Sequence, residues 1–230
     1  MKQLMESWRN YMDQGSEVKT LVFLDMDGVL VDFSEGLVNA LNRDISGDIE
    51  YRNSRAKKLK KVKEYKGSDR VFPITKNFMA ELMIKKDAKE EMTNWELLIK
   101  RYQFLPVVQN YDHWFNLPKA QGADSLIEGV ASVVGFENIY ILSAPVDQES
   151  IRAKYDWIKE NTSIPSERVI IRKDKGSVPP QFPDNRCVLI DDRAKYISMF
   201  ESTGGIGIRH FPESSSVAVD SSLMQLKELV

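Results

Sequence analysis

At 230 residues and a formal net charge of -2, the chain is long enough for one large domain, or for a core with a smaller lid. It has no global charge that would draw it to nucleic acid or anionic membrane. Its 42% hydrophobic content is ordinary for a globular protein, and no apolar stretch approaches the roughly 20 residues that span a bilayer. The single cysteine, Cys187, excludes an internal disulfide and points to a reducing compartment. Its simplest role is that of a small buried strand residue.

Met1–Asp13 lacks the continuous apolar core of a signal peptide. Leu4, Met5, Trp8, Tyr11 and Met12 fall at helical spacing, which predicts an amphipathic helix (residues 1–19) packed on the body of a soluble cytoplasmic protein. Thr20–Leu24 reads as the first strand. Residues 34–114 then read as an inserted helical cap without a clear strand, with apolar-periodic helices over Asn77–Ile84 and Trp95–Tyr102. Within it, Tyr51–Asp69 is dense in lysine and arginine, from Arg52 to Lys66. This run reads either as a solvated helix face with Leu59, Val62 and Tyr65 turned inward, or as a contact for a nucleic-acid strand. Regular alternation resumes at Asp124: helix (Asp124–Val134), strand (Asn138–Leu142), helix (Asp147–Asn161), strand (Arg168–Ile171). After a Pro-rich loop (Val178–Asp184) come strand (Cys187–Ile190), helix (Arg193–Glu201), strand (Ile206–Arg209) and helix (Ser222–Leu229). The pattern predicts an α/β fold, a parallel sheet with helices on both faces, whose core is formed by residues 20–33 and 115–230.

Four polar signals each follow an apolar run: Asp25-Met26-Asp27-Gly28, Ser143, Lys175 and Asp191-Asp192. Ligands of open α/β sheets bind beyond the carboxyl ends of the strands, so these residues are expected to meet there. Period-2 geometry puts Asp25 and Asp27 on one side, and Gly28 permits a sharp turn. One carboxylate of that pair can attack phosphorus while its neighbour protonates the leaving oxygen. A bound Mg²⁺ would offset the repulsion between carboxylate and phosphate, with Asp191 and Asp192 as further hard oxygen ligands. Lys175 would neutralise the transferring group and Ser143 would donate a hydrogen bond to it. Singly these residues have simpler readings, such as a turn for Asp-x-Asp-Gly or a helix N-cap for Asp192. Their joint order favours the site. His113 and His210 read as structural.

The same residues resemble the haloacid dehalogenase (HAD) superfamily of phosphohydrolases. Asp25–Leu30 is similar to its first motif, Ser143 to the second, Lys175 to the third and Asp191-Asp192 to the fourth. The resemblance implies a HAD-like Rossmannoid core with an inserted helical cap, Mg²⁺ as cofactor and an aspartyl-phosphate formed on Asp25. The helical insert and the runs Asp25–Phe33, Ser143-Ala144-Pro145, Asp174-Lys175 and Ile190–Arg193 look most like the C1-capped 5'(3')-deoxyribonucleotidases. That likeness implies a nucleoside monophosphate as substrate, Phe33 stacked on the base, and Arg193 near the substrate or bracing the site. Trp114 stands at the cap's return; both it and Phe33 read equally well as core residues. Trp95, Tyr102 and Phe104 read as cap core. Ala144 replaces a second hydroxyl of the phosphate-binding motif, Lys173 stands where arginine is expected, and the cap is longer and more basic than in small nucleotidases. Two alternatives remain open: a 3'-phosphatase acting on nucleic-acid ends, and a non-catalytic phosphate-binding protein on the same scaffold.

Overall fold

The computed structural model describes residues 18–45, 73–93, 96, 97, 99, 110–211 and 215–230. The expected N-terminal helix, the basic run at 51–69 and most of the expected helix over Trp95–Tyr102 lie outside the described residues.

Five strands form one parallel sheet: β1 (Thr20–Leu24), β2 (Ile139–Ser143), β3 (Val169–Ile171), β4 (Arg186–Asp191) and β5 (Ile206–Arg209). Their order is β3-β2-β1-β4-β5, so the first strand lies at the centre and the chain winds outward from it twice. β1 pairs with β2 through Val22↔Ile139 and with β4 through Thr20↔Arg186. A strand flanked on both sides and covered on both faces must be apolar throughout, and every residue of β1 is buried.

The strand period of two divides the core into two layers. Val22, Leu24, Ile139, Ile141, Val188 and Ile190 face helices α4 (Ala123–Val134), α5 (Gln148–Asn161) and α7 (Ser215–Leu229), which contribute Leu126, Val130, Trp157, Val219 and Leu226. Leu21, Phe23, Leu142, Cys187 and Leu189 face the other way, against Phe200 of α6 (Ala194–Glu201) and the turns at Lys175–Ser177 and Pro179–Gln181. Cys187 is thus a buried strand residue, its thiol pushed up to about 11 by burial. Helix α5 starts at a capping box, with the Asp147 carboxylate accepting from Ser150 N at 2.8 Å.

Helix α7 begins seven residues before the expected Ser222. The Ser- and Val-rich start has weak helix propensity. Ala218, Val219, Ser222 and Leu226 nevertheless lie on one buried face at helical spacing, and packing of that stripe extends the helix.

Residues between β1 and α4 add a second, smaller core. Helix α1 (Phe33–Ile45) offers Leu37, Val38 and Leu41 to Ile74 and to Met79 and Leu82 of α2 (Lys76–Ala88), with Ile99 completing the cluster. The Asn42 side chain ties the two segments by donating to Ile74 O (2.7 Å) and accepting from Ile74 N (2.8 Å). Phe33 touches both this cluster and the main core. The short helix α3 (Tyr111–Phe115) returns the chain to the sheet. It is bound to α5 by Tyr111 Oη donating to Asp156 at 2.8 Å, and Trp157 Nε1 of α5 donates to Leu117 O just beyond it. No described helix is long and apolar enough to cross a membrane.

Candidate active site

The carboxyl ends of β1, β2 and β4 and the turn after β3 meet in one place. Asp25 N donates to Ile190 O at 2.9 Å, one more rung of the β1–β4 ladder, so Asp25 lies beside Asp191, the last residue of β4. After Asp25 the chain closes a tight loop, with Leu30 N and Val31 N both donating to Met26 O at 2.9 Å. Gly28 within it has φ +80°, and a Cβ there would sit 2.6 Å from Asp192 Oδ2. Glycine is therefore required twice, for the left-handed backbone and for room beside the carboxylate. Ser143 ends β2 and is wholly buried. Lys175 opens the turn after β3, and Gly176 lets that turn press against α6, where a Cβ would lie 2.7 Å from Met199 O.

Lys175 joins the two sides of the site. Its ammonium, with no exposed surface, lies 2.8 Å from Asp25 Oδ1 and 2.6 Å from Asp191 Oδ2. Arg193 N donates to the other Asp191 oxygen at 2.8 Å, so both oxygens of Asp191 are engaged. Asp192 is placed differently. Its Oδ1 is buried without a hydrogen-bond partner among the described residues, and it does not cap α6, whose N-cap is Arg193. Carboxylate oxygens of Asp25, Asp191 and Asp192 lie within 4.8 Å of one another.

Asp27 stands apart from that trio. Its carboxylate, expected as a further metal ligand, is not in the trio, and its Oδ2 is held by Lys154 at 2.5 Å. Lys154 also donates to Ser143 Oγ (2.9 Å) and to Ala144 O (3.0 Å). Because the Ser143 oxygen accepts from Lys154, its hydroxyl proton remains available to a phosphate oxygen. Ala144, lacking a hydroxyl, enters the site through its carbonyl.

Charge balance within the site is unfavourable without a cation. Four carboxylates, Asp25, Asp27, Asp191 and Asp192, face two ammoniums, Lys154 and Lys175, and the exposed Arg193 guanidinium is the weakest of the charges acting on Asp192, so negative charge is in excess. The carboxyl groups respond accordingly. Burial, then the charges of Asp25, Asp191 and Asp27, pushes Asp192 up to about 7. Burial and Asp25 push Asp191 up to about 6 against the pull of Lys175. Burial also raises Asp27, with Lys154 opposing. Burial alone would lower Lys175, but Asp25 and Asp191 hold it above its usual value. A hard divalent cation suits this set. It would find oxygens from Asp25, Asp191 and Asp192, an unpartnered Asp192 oxygen among them, and would cancel the excess charge.

The aromatic residues give a correction. Trp114 is 1% exposed, Phe33 stacks against it at 5.7 Å, and Lys154 Nζ lies over its ring at 4.9 Å. A ring so covered has no surface for a nucleobase; Trp114 is core. Phe33 is half-buried and keeps an exposed part. Arg193 is exposed, its guanidinium over Tyr196 at 5.3 Å, and its backbone rather than its side chain touches the acidic cluster. His210 pairs through its ring with Ser222 at 3.1 Å, and its backbone N donates to Asp191 O at 3.0 Å.

Lys154 was not among the residues that the sequence singled out. The signal was present: on α5 the buried stripe runs Ser150, Ala153, Lys154, Trp157, Ile158, so a lysine occupies an apolar face. Long lysines usually reach water from such faces. This one cannot, and a lysine with no exposed side-chain surface needs an acidic partner.

No family model matches the chain, and no curated protein is significantly similar to it in sequence. Solved structures do align with it. One is a haloacid dehalogenase-like hydrolase from Burkholderia xenovorans, at 16% identity over 90% of this chain and 88% of that one, with a TM-score of 0.43. A haloacid dehalogenase-like family hydrolase from Xanthomonas campestris aligns at 13% identity over 94% and 97%, TM-score 0.43. A HAD-family enzyme from Bacteroides thetaiotaomicron, in complex with magnesium and inorganic phosphate, aligns at 10% identity over 85% and 96%, TM-score 0.35. Likenesses at this level carry no part of the functional reading, which rests on the site's own geometry.

Proposed function

We propose that the chain is a Mg²⁺-dependent phosphomonoesterase of the HAD type, working through a phosphorylated Asp25. The observation that supports this most is the placement of Lys175 between Asp25 and Asp191, with Asp192 beside them and Asp27 two residues from Asp25. Asp25, Asp191 and Asp192 would hold the metal, which when bound neutralises phosphate charge. In the first step an Asp25 carboxylate oxygen attacks phosphorus, the bond from phosphorus to the ester oxygen breaks, and Asp27 gives its proton to the departing oxygen. Asp27, raised by burial, is suited to carry that proton. In the second step Asp27 takes a proton from water as the water oxygen attacks phosphorus. The Asp25–phosphorus bond breaks, releasing inorganic phosphate and restoring the carboxylate. Ser143 donates to a phosphate oxygen, and Lys175 holds Asp25 in place from one oxygen.

The narrower reading takes a nucleoside monophosphate as the substrate, with Phe33 alone as the base platform. A phosphate-release screen over 3'- and 5'-mononucleotides, sugar phosphates and 3'-phosphorylated oligonucleotides tests both levels. Mg²⁺-dependent release that EDTA abolishes is expected, and Asp25→Asn should lose about 10⁴-fold or more, as removal of a nucleophile does elsewhere. No release from any of these esters, or an Asp25→Asn variant within tenfold of wild type, overturns the proposal.

A further inference from the structure

Lys154 sits at the junction of Asp27, Ser143 and the buried indole of Trp114, and its geometry assigns it work distinct from that of Lys175. An ammonium has three N–H donors. Those of Lys154 are matched by three acceptors: Asp27 Oδ2 at 2.5 Å, Ser143 Oγ at 2.9 Å and Ala144 O at 3.0 Å. Trp114 lies against the same ammonium, 4.9 Å from its ring centroid, and the side chain has no exposed surface. No donor is left for a phosphate oxygen. Lys154 is therefore unsuited to bind substrate and suited to fix its neighbours. It engages only one oxygen of Asp27. The other, Oδ1, is buried without a hydrogen-bond partner among the described residues.

We infer that Lys154 is the positioning residue of the acid–base group: it anchors Asp27 by Oδ2 and so fixes the carboxyl group that exchanges the proton with the leaving oxygen and with water. The same ammonium orients Ser143, because a hydroxyl that accepts from Lys154 must turn its own proton elsewhere. Helix α5 thus sets the geometry of a carboxylate carried by the loop after β1, 127 residues away in sequence. This inference rests on the phosphomonoesterase reading.

Aryl phosphates of graded leaving-group basicity test it. A well-placed acid makes the rate nearly indifferent to the leaving group; a misplaced one does not, because good leaving groups need no proton. In Lys154→Met, kcat/KM for p-nitrophenyl phosphate should fall by about tenfold or less. For phenyl phosphate it should fall by on the order of 10²–10³, within the range of general-acid contributions. Inhibition by inorganic phosphate should weaken by no more than about threefold, through the loosened Ser143 hydroxyl, since Lys154 itself does not touch the phosphate. A merely structural role would not steepen the dependence on the leaving group. Equal losses on both esters, or phosphate inhibition weakened by tenfold or more, overturn the assignment. Should Lys154→Met fail to fold because Asp27 is left unpaired, the double variant D27N/K154M removes that charge. On p-nitrophenyl phosphate it should match Asp27→Asn alone within about threefold, as two groups acting as one unit do. A larger further loss would mean that Lys154 acts independently of Asp27. Wild-type protein that releases phosphate from neither ester overturns the phosphomonoesterase reading itself, a result distinct from any failure of Lys154.

Discussion

Replacing Asp192 by asparagine keeps the shape of the side chain and removes one negative charge from a cluster that holds too many. Burial and three neighbouring carboxylates raise Asp192 from the usual 3.8 to about 7. That is roughly 3 pH units, or at ~1.4 kcal/mol per unit about 4 kcal/mol of penalty at pH 8. Partial solvent access reduces this to about 2 kcal/mol. The sign follows from proton uptake: between pH 3.8 and about 7 the folded state holds this proton and the unfolded state does not. Stability therefore falls as pH rises through that window. In EDTA at pH 8, Asp192→Asn should consequently melt higher than wild type, by ~4–8 °C for a chain of this size. At pH 5.5, inside the window, the gain should be roughly half as large. Mg²⁺ should reverse the order, raising the melting temperature of wild type well above that of the variant, which has lost a hard anionic ligand. Thermal melts in EDTA and in millimolar Mg²⁺ at the two pH values give all four numbers. A variant that melts below wild type in EDTA at pH 8, or that gains as much from Mg²⁺ as wild type does, would refute the account of Asp192 as a strained metal ligand.

Lys175→Met removes the cation shared by Asp25 and Asp191; it should cost ~3–5 kcal/mol of stability in EDTA and cut turnover by roughly 10²–10³ at saturating Mg²⁺. Exposed Lys173→Met is the control and should do neither, whereas the reverse pattern would shift the functional lysine by two residues. Gly28→Ala should abolish most Mg²⁺-dependent phosphate release, because its methyl group displaces the Asp192 carboxylate; a variant with the metal affinity of wild type contradicts the packing. Trp114→Ala should lower stability by ~3–5 kcal/mol and reduce activity equally on a nucleotide and on acetyl phosphate. Phe33→Ala should lower kcat/KM for the nucleotide alone, by about tenfold, the size of a base–aromatic stack; a loss selective for nucleotides in Trp114→Ala would return Trp114 to the substrate pocket.

The sheet was legible because β1, β2 and β4 are short, nearly continuous apolar runs, the pattern that central parallel strands require when both faces are covered. Asp25, Ser143 and Asp191 were legible for the same reason: each stands where such a run stops. Lys175 was harder, since β3 has only three residues, but its turn follows closely. Other features depend on partners that sequence spacing cannot supply. Lys154 shares its helix face with Trp157 and Ile158, and only the approach of Asp27 distinguishes it from an ordinary helix lysine. Trp114 offered two equal readings because its burial depends on Phe33, which starts a helix 81 residues earlier. The start of α7 was missed because local propensity there opposes the packing that decides it.

The central strand also has a consequence for the order of events during synthesis. β1 is made before both of its neighbours, Ile139–Ser143 on one side and Arg186–Asp191 on the other. From Thr20 to its partner Arg186 is 166 residues (186 − 20). At ~5–20 residues per second, a ribosome takes about 8–33 s to cover that distance. Throughout that time the backbone donors and acceptors of Leu21–Leu24 that face β4 lack their final partners. Pairings of such long sequence separation also slow the closure of the sheet. The nascent chain thus presents an apolar strand before it can bury it, and Thr20–Leu24 stays open to non-native pairing until β4 emerges.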